Sequence, residues 1–466
     1  MKKIILAGIA LLTALNVAQA QERYAKDRVY TGNQVSNTVS VVDPATNTLL
    51  GEIVLGKPQP NILTPLYKGQ ALVHGLGYSP IKQMLAVVSI GSNSVTLIST
   101  NDNKILQTVY LGRSPHEATF RPDGKQVWIT VRGEAYVSVV DVETMKEIRQ
   151  VGVSDGPGMV AFTPDGKLAY VCSSFSPYID VVDTKTYKVI KKIDVPSPFS
   201  PNIFPSPDGK LMAITLKDIG KAVVIDTKTN EVIKVIPTGA ITNHVTFTTL
   251  NGKLLMPVTV GGENCVKVYD VSDDYRLIAT IPTGTLPHGL WASPDGKRLY
   301  VGLEYADQVQ PTNMETMTAL PAIQIGQSPQ ALLYAANAVT SGNGTEGLKP
   351  LQDPAATEVV VMKNLVDGSP ATGQLAVRQI GLTDLVEQLF FKLAPNTAYT
   401  LALTNSDTAP YKSDYEINSF VTDSNGKYAG QSTGLVKNTT GSEQPYKHVI
   451  LIEKATGSTV MIGENR

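Results

Sequence analysis

The chain has 466 residues, 42% of them hydrophobic and 17% charged, enough for two or three domains with sizeable cores. Its 40 basic and 41 acidic side chains leave a net charge of −1, which excludes a broad field pulling the protein onto nucleic acid or an anionic membrane. Two cysteines, Cys172 and Cys265, are too few for a disulfide framework; they fall in repeats that are not neighbours and read as free, mostly buried thiols.

Lys2 and Lys3, the apolar run from Ile4 to Leu15, and Ala18-Gln19-Ala20 follow one another in the order of a signal peptide. The apolar run is too short to span a bilayer as a helix. Residues 1–20 are therefore read as a signal peptide, with a mature chain from Gln21 and a periplasmic or extracellular destination.

From residue 21 to 337 one unit repeats. Pro-Asp-Gly-Lys occurs at Pro122, Pro164, Pro207 and Pro294, with degenerate copies at Ser79-Pro80 and Leu250-Asn251-Gly252-Lys253. Units begin near residues 74, 116, 158, 202, 244, 288 and 330, with spacings of 42 to 44. Each holds a short apolar run, the Pro-Asp-Gly-Lys turn, and a β-rich run such as Val127-Trp-Ile-Thr-Val131. A third run follows, such as Tyr136-Val-Ser-Val-Val-Asp141, and then a fourth. Four strands in about 42 residues is the arithmetic of a propeller blade, and the alternation of Val, Ile and Tyr favours strands over helices. Arg28-Val-Tyr-Thr31 starts at a second strand, whereas Ser328 to Tyr334 is a first strand with no blade after it. The expectation is an all-β, seven-bladed β-propeller whose first blade takes three strands from the N-terminal end and one from residues 330–336, removing the open edge.

These repeats resemble the YVTN-family β-propellers of exported bacterial and archaeal surface proteins, over roughly residues 27 to 336. The resemblance implies the fold; propellers host many unrelated activities.

Residues 338–355 have the Gly- and Pro-bearing composition of a linker. Residues 356–466 lose the period but keep short strand-like runs, among them Glu358–Met362, Gln374–Ile380, Tyr399–Leu403 and His448–Glu453. They are expected to form a small β-sandwich-like domain.

In a blade, the loops before the first strand and after the second share one face, at the mouth of the central channel. His74, His116, His244 and His288 fall at the start of first strands, where the other repeats carry Gly158, Asn202 and Gln330; His448 lies outside the repeats. Imidazoles ringing a channel suit copper, zinc or iron. Nitrous oxide reductase, also a propeller, has such a histidine channel, but its dense paired histidines and separate copper domain have no counterpart here. The plainer reading is a polar side chain bonding loop backbone, copied by duplication. After the second strands come Arg132, Ser174, Lys217 and Glu304, with Glu134 and Asp218 nearby. Arg132 and Lys217 suit a carboxylate or phosphate, and Glu304 a base or metal ligand; the plainer reading is solvated loop charge.

No Gly-x-Ser-x-Gly elbow, His-Glu-x-x-His, Cys-x-x-Cys-His or phosphate loop is present. The expectation is an exported binding or scaffold protein that engages a protein, peptide, glycan or small molecule at the channel mouth. The alternative is a metal-dependent propeller enzyme (hydrolase, lactonase or oxidoreductase) or a metal carrier using the four channel histidines. Nucleic-acid binding through Arg132 and Lys217 ranks last.

Overall fold

The computed structural model describes residues 23–56, 71–351, 357–380, 383–436 and 446–464; the signal-peptide segment lies outside them. In each repeat the turn chemistry sets the hairpin. Gly124, Gly166, Gly209 and Gly296 have φ of 66–70°, the left-handed region that glycine enters without penalty. The aspartate of the same turn accepts the backbone N–H two residues on, as in Asp165 Oδ1 to Lys167 N at 3.1 Å. Asp183 and Asp226 act likewise between third and fourth strands, accepting from the N–H three residues on, Thr186 N at 2.7 Å and Thr229 N at 2.9 Å.

These turns fold the predicted blades. The third blade is representative, with strands Pro115–Phe120, Gln126–Val131, Tyr136–Asp141 and Lys146–Gly152 in consecutive antiparallel order. The first blade runs Thr48–Val54, Thr38–Asp43, Arg28–Asn33 and then Pro329–Ala335 on its inner edge, which is the predicted three-plus-one closure. Inner strands of successive blades touch all the way round, and the Arg28 strand's blade meets both the Val73–Ser79 and Pro287–Ala292 strands. Apolar side chains gather between neighbouring blades in seven seams. The fourth strands are largely solvated. Burial, the main driving force, therefore binds blade to blade rather than filling one central core.

Hydroxyls latch the inner ring. Thr130, Thr215 and Thr259 donate across to the carbonyls of Gly158 (2.8 Å), Asn243 (2.8 Å) and His288 (2.7 Å) in the next blade. Cys172 occupies the equivalent position of the fourth blade, but its thiol turns to Met159 O of its own blade at 3.6 Å. Both cysteines are free and buried, and burial pushes the Cys172 thiol up to about 12 and the Cys265 thiol up to about 11, so neither is a nucleophile at neutral pH.

Residues 338–351, linker by composition, lie against the ring instead: Asn103 Nδ2 donates to Gly344 O at 3.0 Å and Lys349 N to Glu52 O at 2.9 Å. The C-terminal strands form a second compact unit. Where a β-sandwich-like domain was expected, it holds one eight-stranded sheet curled into a nearly closed barrel. In order the strands are Tyr415–Val421, Ala398–Thr404, His448–Glu453, Thr459–Glu464, Glu358–Asn364, Thr372–Ile380, Thr383–Phe391 and Tyr428–Gly434. Its two edge strands meet, and its interior is apolar, with Leu375, Val377, Phe390, Leu401 and Leu451 at the centre.

Candidate functional site

At the start of most inner strands the ladder slips. Two residues oppose one on the second strand between Val73 and Leu76, Pro115 and Ala118, Pro157 and Val160, Thr242 and Val245, and Pro287 and Leu290. These are β-bulges, which re-aim side chains. The first bulge position holds His74, His116, Gly158, Asn243 and His288; the second holds Gly75, Glu117, Met159, His244 and Gly289. His244 is thus not equivalent to the other three channel histidines. It stands one place further along, where the third blade has Glu117. The sequence period cannot show this, because the slip is visible only in strand pairing.

The histidines sit as two pairs. Ring centroids of His74 and His116 are 4.2 Å apart, and those of His244 and His288 4.9 Å. His116 Nδ1 contacts Gly158 O at 2.8 Å and His288 Nδ1 contacts Gln330 O at 2.6 Å. A carbonyl only accepts, so both Nδ1 atoms carry the proton. Burial, then the charge His74 would carry and that of Arg132, holds His116 well below the ordinary imidazole range; burial and Lys217 do the same for His288. Both rings are neutral at pH 7, and each keeps a bare Nε2 lone pair. Val245 N donates to Asn202 Oδ1 at 2.9 Å, which makes Nδ2 of that amide the donor to His244 Nδ1 at 3.4 Å. His244, pushed down to about 3 by burial and Lys217, therefore carries its proton on Nε2. The backbone-bonding role proposed for the repeated histidine is real for His116 and His288, and it occupies one nitrogen of each.

The second predicted ring reaches the same mouth. Glu304 Oε2 lies 4.0 Å from His288 Nε2, and Lys217 is close enough to His244 and His288 to lower both. Arg132 lies beside His116, its guanidinium carbon 5.5 Å from the Phe175 ring and 5.7 Å from that of Phe199. Among the described residues no carboxylate pairs with it, and its Nε is buried without a hydrogen bond. Burial lowers its pKa, yet a guanidinium stays charged. Ser174, in the equivalent place of the fourth blade, is buried with its Oγ unbonded.

The model for the family described as lactonase, 7-bladed beta-propeller, matches residues 26–322. The chain belongs to that family. No curated protein matches the chain. Among solved structures, hydrazine synthase from Kuenenia stuttgartiensis is 22% identical, with a TM-score of 0.52 over 58% of this chain and 92% of that one. A functionally unknown protein from Desulfotomaculum acetoxidans is 12% identical, with a TM-score of 0.56 over 66% of this chain and 99% of that one. At these identities the likeness is one of fold.

In this lactonase-family propeller the channel is pinched at its waist. A cavity of about 10 Å³, lined by Glu117, Asn202 and His244 among apolar neighbours, has room for about one water. Beyond it, the far end opens into an apolar cavity of about 400 Å³ walled by Tyr78, Phe120, Phe162, Phe204 and Trp291. Reasoning from sequence placed Arg132, Lys217, Glu304 and the histidines at one mouth but missed Glu117, Phe175 and Phe199. The only signal for Glu117 is its place directly after His116.

Proposed function

We propose that the channel mouth binds a small carboxylate-bearing molecule. The observation that carries this reading is Arg132, a guanidinium beside two phenylalanine rings at the mouth with no acidic partner among the described residues. Placing a charge there unpaired is costly, and a planar carboxylate matches its fork of donors. Lys217, from the fifth blade, adds positive field beside His244 and His288. Isothermal titration with small hydroxy acids and their lactones tests the proposal. Binding should weaken at least tenfold in Arg132→Ala, about 1.4 kcal/mol; no binding, or binding indifferent to Arg132→Ala, overturns it.

Family membership favours a second step, hydrolysis of a lactone whose hydroxy-acid product carries that carboxylate. Water adds to the acyl carbon, the ring C–O bond breaks, and the alkoxide takes a proton. Glu304, facing His288 Nε2 at 4.0 Å, is the group placed to relay it. Base uptake by a panel of lactones, abolished in Glu304→Gln while hydroxy-acid binding persists, supports this step; uptake unchanged in the variant removes Glu304 from it. Export by the N-terminal segment, periplasmic or extracellular residence and assignment of the repeats to the YVTN type belong to the same proposal, resting on Lys2, Lys3, the apolar run after them and the 42-residue spacing.

A further inference from the structure

We infer that His74, His116 and Glu117 form a site for one divalent transition-metal ion, with zinc as the type case. The inference stands apart from the carboxylate receptor, which needs no metal. The side chains of all three are buried, and one donor atom from each lies within 4.8 Å of the other two. His74 Nδ1 and Glu117 Oε1 are 3.5 Å apart, and His74 Nδ1 makes no hydrogen bond among the described residues. That separation is long for N–H···O, whose usual value is about 2.9 Å. It is the edge of a tetrahedron with bonds of about 2.1 Å, which is roughly 3.4 Å. The two atoms are spaced as co-ligands rather than as donor and acceptor.

The surroundings hold the donors in the state a metal requires. His116 is locked by Nδ1–H to Gly158 O at 2.8 Å, leaving Nε2 as the ligand atom; this backbone anchor is the usual support of a metal-bound imidazole. Glu117 keeps Oε1 for the ion while Oε2 accepts from Leu76 N at 3.3 Å. Its backbone N–H is tied to Thr130 Oγ1 at 3.1 Å. Gly75 makes the room, since a Cβ there would stand 2.8 Å from Glu117 Oε2. Two imidazoles and one carboxylate leave a fourth position for water or substrate, the pattern of catalytic rather than structural zinc. The donor set is borderline in softness and suits zinc over calcium or magnesium. His244 and His288 form a separate pair, with Glu304 4.0 Å from His288 Nε2, but among the described residues the three donors within 4.8 Å of one another are those of His74, His116 and Glu117, so the ion is assigned to the His74 side.

The test uses full-length mature protein, free of affinity tags and stripped with chelator, titrated with Zn²⁺ against a chromophoric competitor. One equivalent should bind, and Co²⁺ in its place should show the intense visible bands of four-coordination. Glu117→Gln, close in shape, and His116→Ala should each weaken binding at least a hundredfold, whereas His448→Ala should leave it unchanged. Glu117→Gln guards against misfolding in His116→Ala, and circular dichroism of both checks this. No stoichiometric binding, binding that survives Glu117→Gln in the folded protein, or binding lost instead in His288→Ala would each overturn the assignment.

Discussion

An imidazole that cannot take up a proton makes folding sensitive to acid. His244 has its folded pKa lowered to about 3 against about 6.5 when unfolded, so between those values only the unfolded chain binds the proton. Its contribution to stability is complete above pH 6.5 and is lost as pH falls toward 3. His116 and His288, also held low, add to the loss in the same direction. The loop aspartates act lower: Asp165, brought to about 2 by Lys167 and Thr163, contributes above its ordinary value near 3.8 and loses that contribution as pH falls through about 2. The two windows barely overlap. Metal-free protein should therefore lose stability from pH 6.5 to 4.5, and His244→Asn should flatten that slope by roughly 2 to 3 kcal/mol. Urea midpoints at several pH values measure it; a slope identical in the variant would show that His244 titrates normally in the folded state.

At the scale of the strand, the inner ring depends on backbone approaching backbone. A Cβ at Gly75 would stand 2.2 Å from His116 O and 2.6 Å from Glu117 Cα, atoms of the neighbouring blade that no rotamer can move aside. Gly75→Ala should cost on the order of 3 kcal/mol or prevent folding. Gly152→Ala, on an outer strand with nothing within 4 Å, should be nearly silent; equal effects in thermal unfolding would contradict the close packing. Such constraints explain what reading the sequence captured. Strand order and ring closure were legible, because Pro-Asp-Gly-Lys at Pro122 or Pro164 fixes a hairpin locally and the 42-residue spacing repeats it. The convergence of Arg132, Lys217, Glu304 and the histidines followed from loop position alone. Strand register did not. Whether His244 aligns with His288 or with Glu117 turns on which residue the bulge leaves unpaired, and that is decided by pairing with Thr259 and Val260. Phe175 and Phe199 come from two different loops of the fourth and fifth blades, so no local pattern joins them to Arg132.

For the whole propeller, the decisive seam is the one where the chain's two ends meet. Closing it brings Arg28–Asn33 to Pro329–Ala335, a loop of about 300 residues whose entropy must be overcome before any contact there is gained. Asp27 holds the seam, accepting from Tyr334 OH at 2.5 Å and Asn337 N at 2.8 Å. Asp27→Ala leaves a buried tyrosine hydroxyl unpaired and should cost about 2 to 3 kcal/mol. Each blade otherwise relies on its neighbours, as in a linear repeat, so weakening the closure should free the first blade before the rest. Hydrogen exchange should then show Arg28–Asn33 and Pro329–Ala335 losing protection together, with an exposed edge that promotes association. A competing weak point exists in the fifth blade, whose inner strand Ile203–Pro205 is three residues long. Exchange beginning there in Asp27→Ala would mean that the ring opens at its shortest inner strand and that the seam between the chain's ends is the stronger joint.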